Sequence, residues 1–98
     1  MSLAYYAVIF TSQLSDTTSG YEAKAEEMLQ LARGMPGFLG VDSARSDGKG
    51  ITVSYWESLV AIDGWRNHPA HLGAKRAGKA TWYSEWKVRI ARVEGSYE

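Results

Sequence analysis

Residues Trp65 to His71, read as Trp-Arg-Asn-His-Pro-Ala-His, hold both histidines of the chain and one of its tryptophans. Two imidazoles three positions apart could share a metal ion on an unbroken helix. Pro69 stands between them, however, and disfavours helical backbone at His68. A zinc site also needs a third protein ligand. The chain has no cysteine, so Glu57 or Asp63 would have to supply it, and the spacing argues against a metal centre. Proton transfer is the better fit. Pro69 suits the first position of a new helical turn, which puts His71 near a helix N-terminus. That end disfavours added positive charge, so the imidazole should stay neutral and able to accept a proton. His71 is therefore the candidate general base, with His68 as the alternate.

The four tryptophans, Trp56, Trp65, Trp82 and Trp86, fall within thirty-one residues. Each carries a large apolar ring and one N–H that needs an acceptor when buried. Trp86 is expected to serve packing. Trp65 shares a helix with the histidine break, and beside a cavity it could stack on a flat aromatic ligand and donate to a ligand oxygen. Lys75, Arg76 and Lys79 form a basic stripe. Such a stripe usually faces solvent, with binding of an anionic group as the other reading.

These residues must be positioned by a scaffold, and the hydrophobic pattern predicts one. Residues 3–14 (LAYYAVIFTSQL) read as a strand whose centre is apolar on both faces, and such strands are normally covered on both. Ser19-Gly20-Tyr21-Glu22 fits a capping box for a helix with Tyr21, Ala25, Met28, Leu29 and Ala32 on its inner face. Gly34 is expected to take a left-handed conformation at the end of this helix, before Pro36-Gly37. FLGVDSARS and GITVSYWES follow as strands joined by Asp47-Gly48, a tight-hairpin signature. Ser58 can cap a second helix carrying Leu59, Ile62 and Trp65; it pauses at Asn67-His68 and resumes to about Ala80. WYSEWKVRIARVEG closes the chain as a strand, with Trp86, Val88 and Ile90 on one side.

The order β-α-β-β-α-β is that of a split-βαβ, ferredoxin-like α+β subunit: a four-stranded antiparallel sheet with two helices on one face. The other face would be bare although strand one is apolar there. A second copy of the same sheet is the simplest cover, giving a homodimer.

The totals narrow the function. Ninety-eight residues with 45% apolar and 22% charged content describe one globular domain, residues 1–98. Eleven basic and eleven acidic residues cancel, so no global charge steers the chain to nucleic acid or an anionic membrane. Residues 64–92 are locally basic, with Glu85 as the only acid. The absence of cysteine excludes disulfides and thiolate catalysis. The apolar run from Leu3 to Phe10 is too short to span a membrane and lacks a basic leader, so a cytoplasmic location is expected. P-loop, dinucleotide-binding and nucleophile-elbow motifs are absent. Neither middle strand carries the aromatic and basic signature of an RNA-recognition sheet.

The stretch from Ile51 to Glu94, with its YW-S turn, tryptophan helix and closing strand, strongly resembles the antibiotic biosynthesis monooxygenase domain family. Tyr5 to Asp47 is compatible with it. The resemblance implies a dimeric α+β barrel paired through the sheets. One branch of that family oxidises anthrone-like phenols with O2 and no metal, flavin or haem; another degrades haem; others act in quinol metabolism. Trp65 matches the helix tryptophan of the first two branches. Quinone-forming members place an asparagine one turn earlier, where this chain has Ala61, and can carry a tyrosine at the position of His71. Haem-degrading members use a first-strand asparagine and a histidine at the position of Lys75, and neither is present here. The resemblance thus implies cofactor-free oxygenation of an electron-rich aromatic such as an anthrone or quinol. His71 would be the base, with His68 as alternate. Trp65 would donate to a substrate oxygen and Tyr55 and Trp82 would wall the ring; from the basic stripe, and not from the resemblance, Arg76 is the candidate contact for an anionic group. A haem-degrading protein and a non-catalytic dimeric ligand-binding module are the alternatives.

Overall fold

The computed structural model describes residues 4–98; the anticipated start of the first strand at Leu3 lies outside the described residues. Four strands alternate with helices: β1 (Tyr5–Leu14), α1 (Tyr21–Arg33), β2 (Phe38–Ser46), β3 (Lys49–Trp56), α2 (Leu59–Arg66), α3 (Pro69–Ala77) and β4 (Tyr83–Val93). A π-helical turn, Gly78–Trp82, joins α3 to β4. The sheet is antiparallel throughout, in the order β2-β3-β1-β4, which is the ferredoxin-like arrangement.

Register decides which side chains face the helices. Trp56 pairs with Tyr6 and with Phe38, and Val8 pairs with Ser54 and with Ile90. Trp56 is fully buried and forms the core with Ala32 of α1 and Ile62 and Trp65 of α2, packed by Met28, Leu31, Met35 and Phe38. Tyr6, Val8, Phe10 and Trp56 therefore point to the helical layer, with Trp86, Val88 and Ile90 on the same side. Tyr5, Ala7, Ile9, Ile51, Val53 and Tyr55 lie on the opposite side, which no helix covers.

Local chemistry explains most of the connections. The β2–β3 hairpin turns through Asp47 (φ 52°) and Gly48 (φ 80°), the paired positive angles of a two-residue type I′ turn. The Ser58 hydroxyl accepts the Ala61 amide (3.1 Å), as expected of the α2 cap. Gly37, at φ 84°, lets its carbonyl receive the Glu57 amide (2.8 Å) just ahead of α2. A Cβ there would stand 2.5 Å from Cβ of Ala61.

Three expectations about α1 are corrected. Gly20 (φ 82°), not Ser19, is the N-cap, and no side chain caps this end. The Ser19 carbonyl instead receives the indole N–H of Trp82 (3.0 Å), which ties this segment to the start of β4. Gly34 keeps a right-handed conformation, while its amide and that of Met35 bond back to Leu31 and Ala32; the left-handed residue is Gly37. Ala25 faces solvent, and the inner face runs instead through Met28, Leu31 and Ala32.

Candidate functional site

The anticipated helix break is present, and it builds the site. After Arg66 the chain turns through Asn67, and His68, in extended backbone (φ −63°, ψ 131°), becomes the N-cap of α3 with Pro69 at the first helical position. The His68 Nδ1 accepts the Ala70 amide at 3.1 Å. One turn of helix then brings His71 back over α2. Its imidazole stacks on the Trp65 indole, with centroids 4.2 Å apart and planes 13° from parallel. On the far side Trp65 lies over Trp56 at 6.2 Å and 22°. An imidazole and two indoles thus form one column rising from the buried centre of the sheet.

Hydrogen bonding fixes the state of His71. Its Nδ1 lies 3.1 Å from the Trp65 carbonyl oxygen, which also receives the His68 amide at 3.1 Å. A carbonyl only accepts, so Nδ1 carries the proton and Nε2 carries the lone pair. Burial pushes the His71 pKa below its ordinary value. The bond to Trp65 opposes that shift, and the nearby Lys75 and His68 reinforce it. At neutral pH this side chain is a neutral imidazole with its basic nitrogen preset.

Trp65 differs from its neighbours in its polar atom. The Trp56 indole donates to the Ser54 hydroxyl (2.9 Å) and Trp82 to Ser19, as above. Among the described residues no acceptor receives Nε1 of Trp65, and no buried side-chain polar atom is left unpaired. The Trp65 N–H therefore reaches open space. The helix side of the sheet is not covered evenly. α1 packs over β2 and α2 over β3, whereas β4 meets the π-turn. Trp86, Val88 and Ile90 face the same side and are still 44–46% exposed. The Lys79 Nζ lies 4.9 Å from the Trp86 ring.

The remaining candidates are placed differently. Tyr55 is not with Trp65: its register partners Ala7 and Gly40 put it on the bare face. There its hydroxyl donates to Asp42 (3.1 Å), which raises its pKa, and its ring meets Tyr5 edge-on. Trp82 sits in the π-turn against Tyr21 and Ser19 and is occupied in holding β4 to α1. Arg76 is exposed on α3, while Lys75, one turn beyond His71, is half-buried. Burial lowers the Lys75 pKa, and Arg66 and Lys79 add to the effect. No three His, Asp or Glu side chains gather in metal-binding geometry among the described residues.

Sequence reading missed the open wall of β4. The alternation of Trp86, Val88 and Ile90 was visible, but not that these side chains stay 44–46% exposed on the helix side while α1 meets β4 at Tyr21 and Tyr83. It also missed a polar cluster under α1. There the Arg45 guanidinium reaches the hydroxyls of buried Ser12 (2.7 Å) and Tyr21 (3.2 Å) and the Gly48 carbonyl. Gly50, opposite Arg45 in the hairpin, was the available signal, because a Cβ there would meet that guanidinium.

A ferredoxin-like α+β subunit with an aromatic column beneath a split helix defines the class of this protein. Residues 4–77 match the family described as antibiotic biosynthesis monooxygenase, and the chain belongs to it. It is 53% identical over 91 residues to the uncharacterized protein YqjZ of Bacillus subtilis (strain 168), spanning 92% of this chain and 80% of that protein. Among solved structures it is similar to SnoaB, a cofactor-independent oxygenase from Streptomyces nogalater, studied as a variant. The TM-score is 0.81 at 13% identity, over 94% of this chain and 95% of that one. Rv0793 from Mycobacterium tuberculosis aligns with TM-score 0.77 at 21% identity, over 96% and 97%. At these identities the two structures speak for the fold alone.

Proposed function

We propose that this protein is a cofactor-independent monooxygenase that oxidises an electron-rich aromatic, of anthrone or quinol type, with O2. The observation that carries this reading is the pairing of a neutral imidazole, its lone pair preset on Nε2, with an unengaged indole N–H on the ring it stacks against. Membership of a monooxygenase family and likeness in fold to a cofactor-independent oxygenase support it.

The chemistry needs a base and a stabilised anion. His71 Nε2 takes the acidic C–H proton of the bound anthrone, and the electron pair left behind delocalises onto the ring oxygen. The Trp65 N–H donates to that oxygen as charge develops on it. The carbanion is the reductant and O2 the oxidant. A C–O bond forms to give a peroxide anion, which takes back the proton from His71 to become a hydroperoxide and then loses water to leave the quinone. One atom of O2 enters the product and the other leaves in water. Val88 and Ile90 offer an apolar wall for the ring. Tyr55 and Trp82 have no part in this site. The bare sheet face, with Ile9, Ile51 and Val53, pairs with a second copy to form a homodimer.

The test is O2 uptake by metal-stripped protein with a panel of anthrones and hydroquinones, beside a Trp65→Phe variant. Uptake in the parent, reduced roughly a hundredfold in the variant, is the expected result for loss of one oxyanion donor. No uptake above the uncatalysed rate across the panel refutes the proposal.

A further inference from the structure

The backbone holds the two histidines in opposite tautomers. The Ala70 amide can only donate, so His68 Nδ1 must hold a lone pair, and the proton of the neutral ring sits on Nε2. The Trp65 carbonyl can only accept, so His71 Nδ1 holds the proton and Nε2 the lone pair. Both rings border the same indole, His71 stacked at 4.2 Å and His68 tilted at 6.2 Å.

We infer that the pair is a donor–acceptor clamp, in which His71 Nε2 receives a ligand proton and His68 Nε2–H donates to a ligand oxygen. This removes His68 as an alternate base. Its Nδ1 lone pair is spent on the helix cap and its Nε2 has none to give. The ligand this clamp selects is a ring compound with both an acidic hydrogen and an oxygen on which the resulting charge can rest. Hydrocarbons of the same shape lack both handles. A neutral imidazole N–H is a suitable donor because it adds no positive charge at a helix N-terminus, where such charge is disfavoured. The assignment of tautomers stands on backbone geometry alone; only the choice of ligand rests on the oxygenase reading.

Imidazole ¹⁵N shifts of labelled protein at pH 8 test the tautomers directly. His68→Asn and His71→Gln variants assign the two rings. The expected spectrum shows His68 protonated on Nε2 and His71 on Nδ1. The same tautomer in both rings, or the reverse assignment, overturns the clamp. Anaerobic titration with anthrone and with 9,10-dihydroanthracene, read by tryptophan fluorescence, tests the ligand class. Anthrone should bind at least tenfold more tightly. In His68→Ser, which keeps a capping oxygen but loses the N–H, anthrone affinity should fall about tenfold, as for one lost hydrogen bond, while the Ala70 amide stays protected from exchange. Unchanged affinity in that variant overturns the donor role of His68, and equal binding of the two compounds overturns the ligand class. Absence of O2 uptake with the assigned tautomers present refutes the oxygenase reading and leaves the clamp standing.

Discussion

The His71 ring lies 4.2 Å above the Trp65 indole and shares a hydrogen bond with that residue's own carbonyl oxygen, 3.1 Å from Nδ1. One residue thus fixes the position of its neighbour's ring through its side chain and the ring's protonation through its backbone. Burial of the imidazole lowers its affinity for protons, and the bond to the Trp65 carbonyl opposes that effect. This gives the proposed base a definite orientation before any substrate arrives.

If His71 takes the substrate proton, His71→Gln should lower O2 uptake by roughly two to four orders of magnitude, the usual worth of a positioned base. Glutamine can still donate its amide N–H to the Trp65 carbonyl, so α3 should keep its place. Steady-state rates with the best anthrone, beside a far-ultraviolet circular dichroism spectrum, check both statements. Turnover equal to that of the parent would remove His71 from the role.

The same burial predicts how stability depends on pH. The folded pKa of His71 lies below the unfolded value, with desolvation the main cause and Lys75 and His68 contributing. Between those two values the unfolded chain binds more protons than the native one. Stability is therefore full above the ordinary histidine range near pH 6.5, and falls as pH drops through it towards the folded pKa. Urea unfolding midpoints measured from pH 8 to pH 5 should decline in the parent. The decline should be shallower in His71→Gln, and identical slopes would show that His71 does not carry the effect.

Much of this arrangement was legible because the local signals agree with the tertiary fold. Pro69 marked the helix restart, Ser58 its partner's cap, and Asp47-Gly48 the hairpin. Alternation in residues 86–90 gave the face of β4. What failed did so for non-local reasons. The Ser19 capping box does not form: Gly20 is the N-cap, and the Ser19 carbonyl is bonded to Trp82, sixty-three residues away. Tyr55 was expected to wall the substrate ring, and its register places it on the face away from Trp65. A strand sends neighbours to opposite faces, and the burial of Trp56 against α2 puts Tyr55 on the bare one. Pairing across distant segments sets these outcomes, and no local window of sequence contains it.

Gly37 should tolerate no side chain. Its positive φ already disfavours one, and the added Cβ would meet Cβ of Ala61 at 2.5 Å and the Glu57 side chain at 3.0 Å. Neither relief is free, since Glu57 bonds the Gly37 carbonyl through its amide and Ala61 lies in the first turn of α2. Gly37→Ala should cost about 2 kcal/mol or more in urea unfolding, from left-handed strain and overpacking together. Gly73, whose added Cβ meets nothing within 4 Å, is the control: Gly73→Ala should leave stability unchanged or raise it slightly, since alanine is the better helix former.

The bare sheet face makes the last prediction. Ile9, Val53 and Ile51 run across β1 and β3 on the side opposite the helices, and Ile51 is 43% exposed. Apolar side chains grouped on a sheet face are costly to leave in water, and a copy of the same face can cover them. Light scattering behind size exclusion should therefore give twice the chain mass of 10.9 kDa. Val53→Asp, at the centre of that face, should give the single-chain mass. Ile51→Lys, nearer the edge and already partly in water, should weaken pairing while leaving the fold intact, which separates a lost interface from a lost core. Val60→Asp, at an α2 position 80% exposed, should change nothing. A parent that elutes as one chain at every concentration, or an Ile51→Lys variant that pairs as tightly as the parent, would show that this face is not the interface.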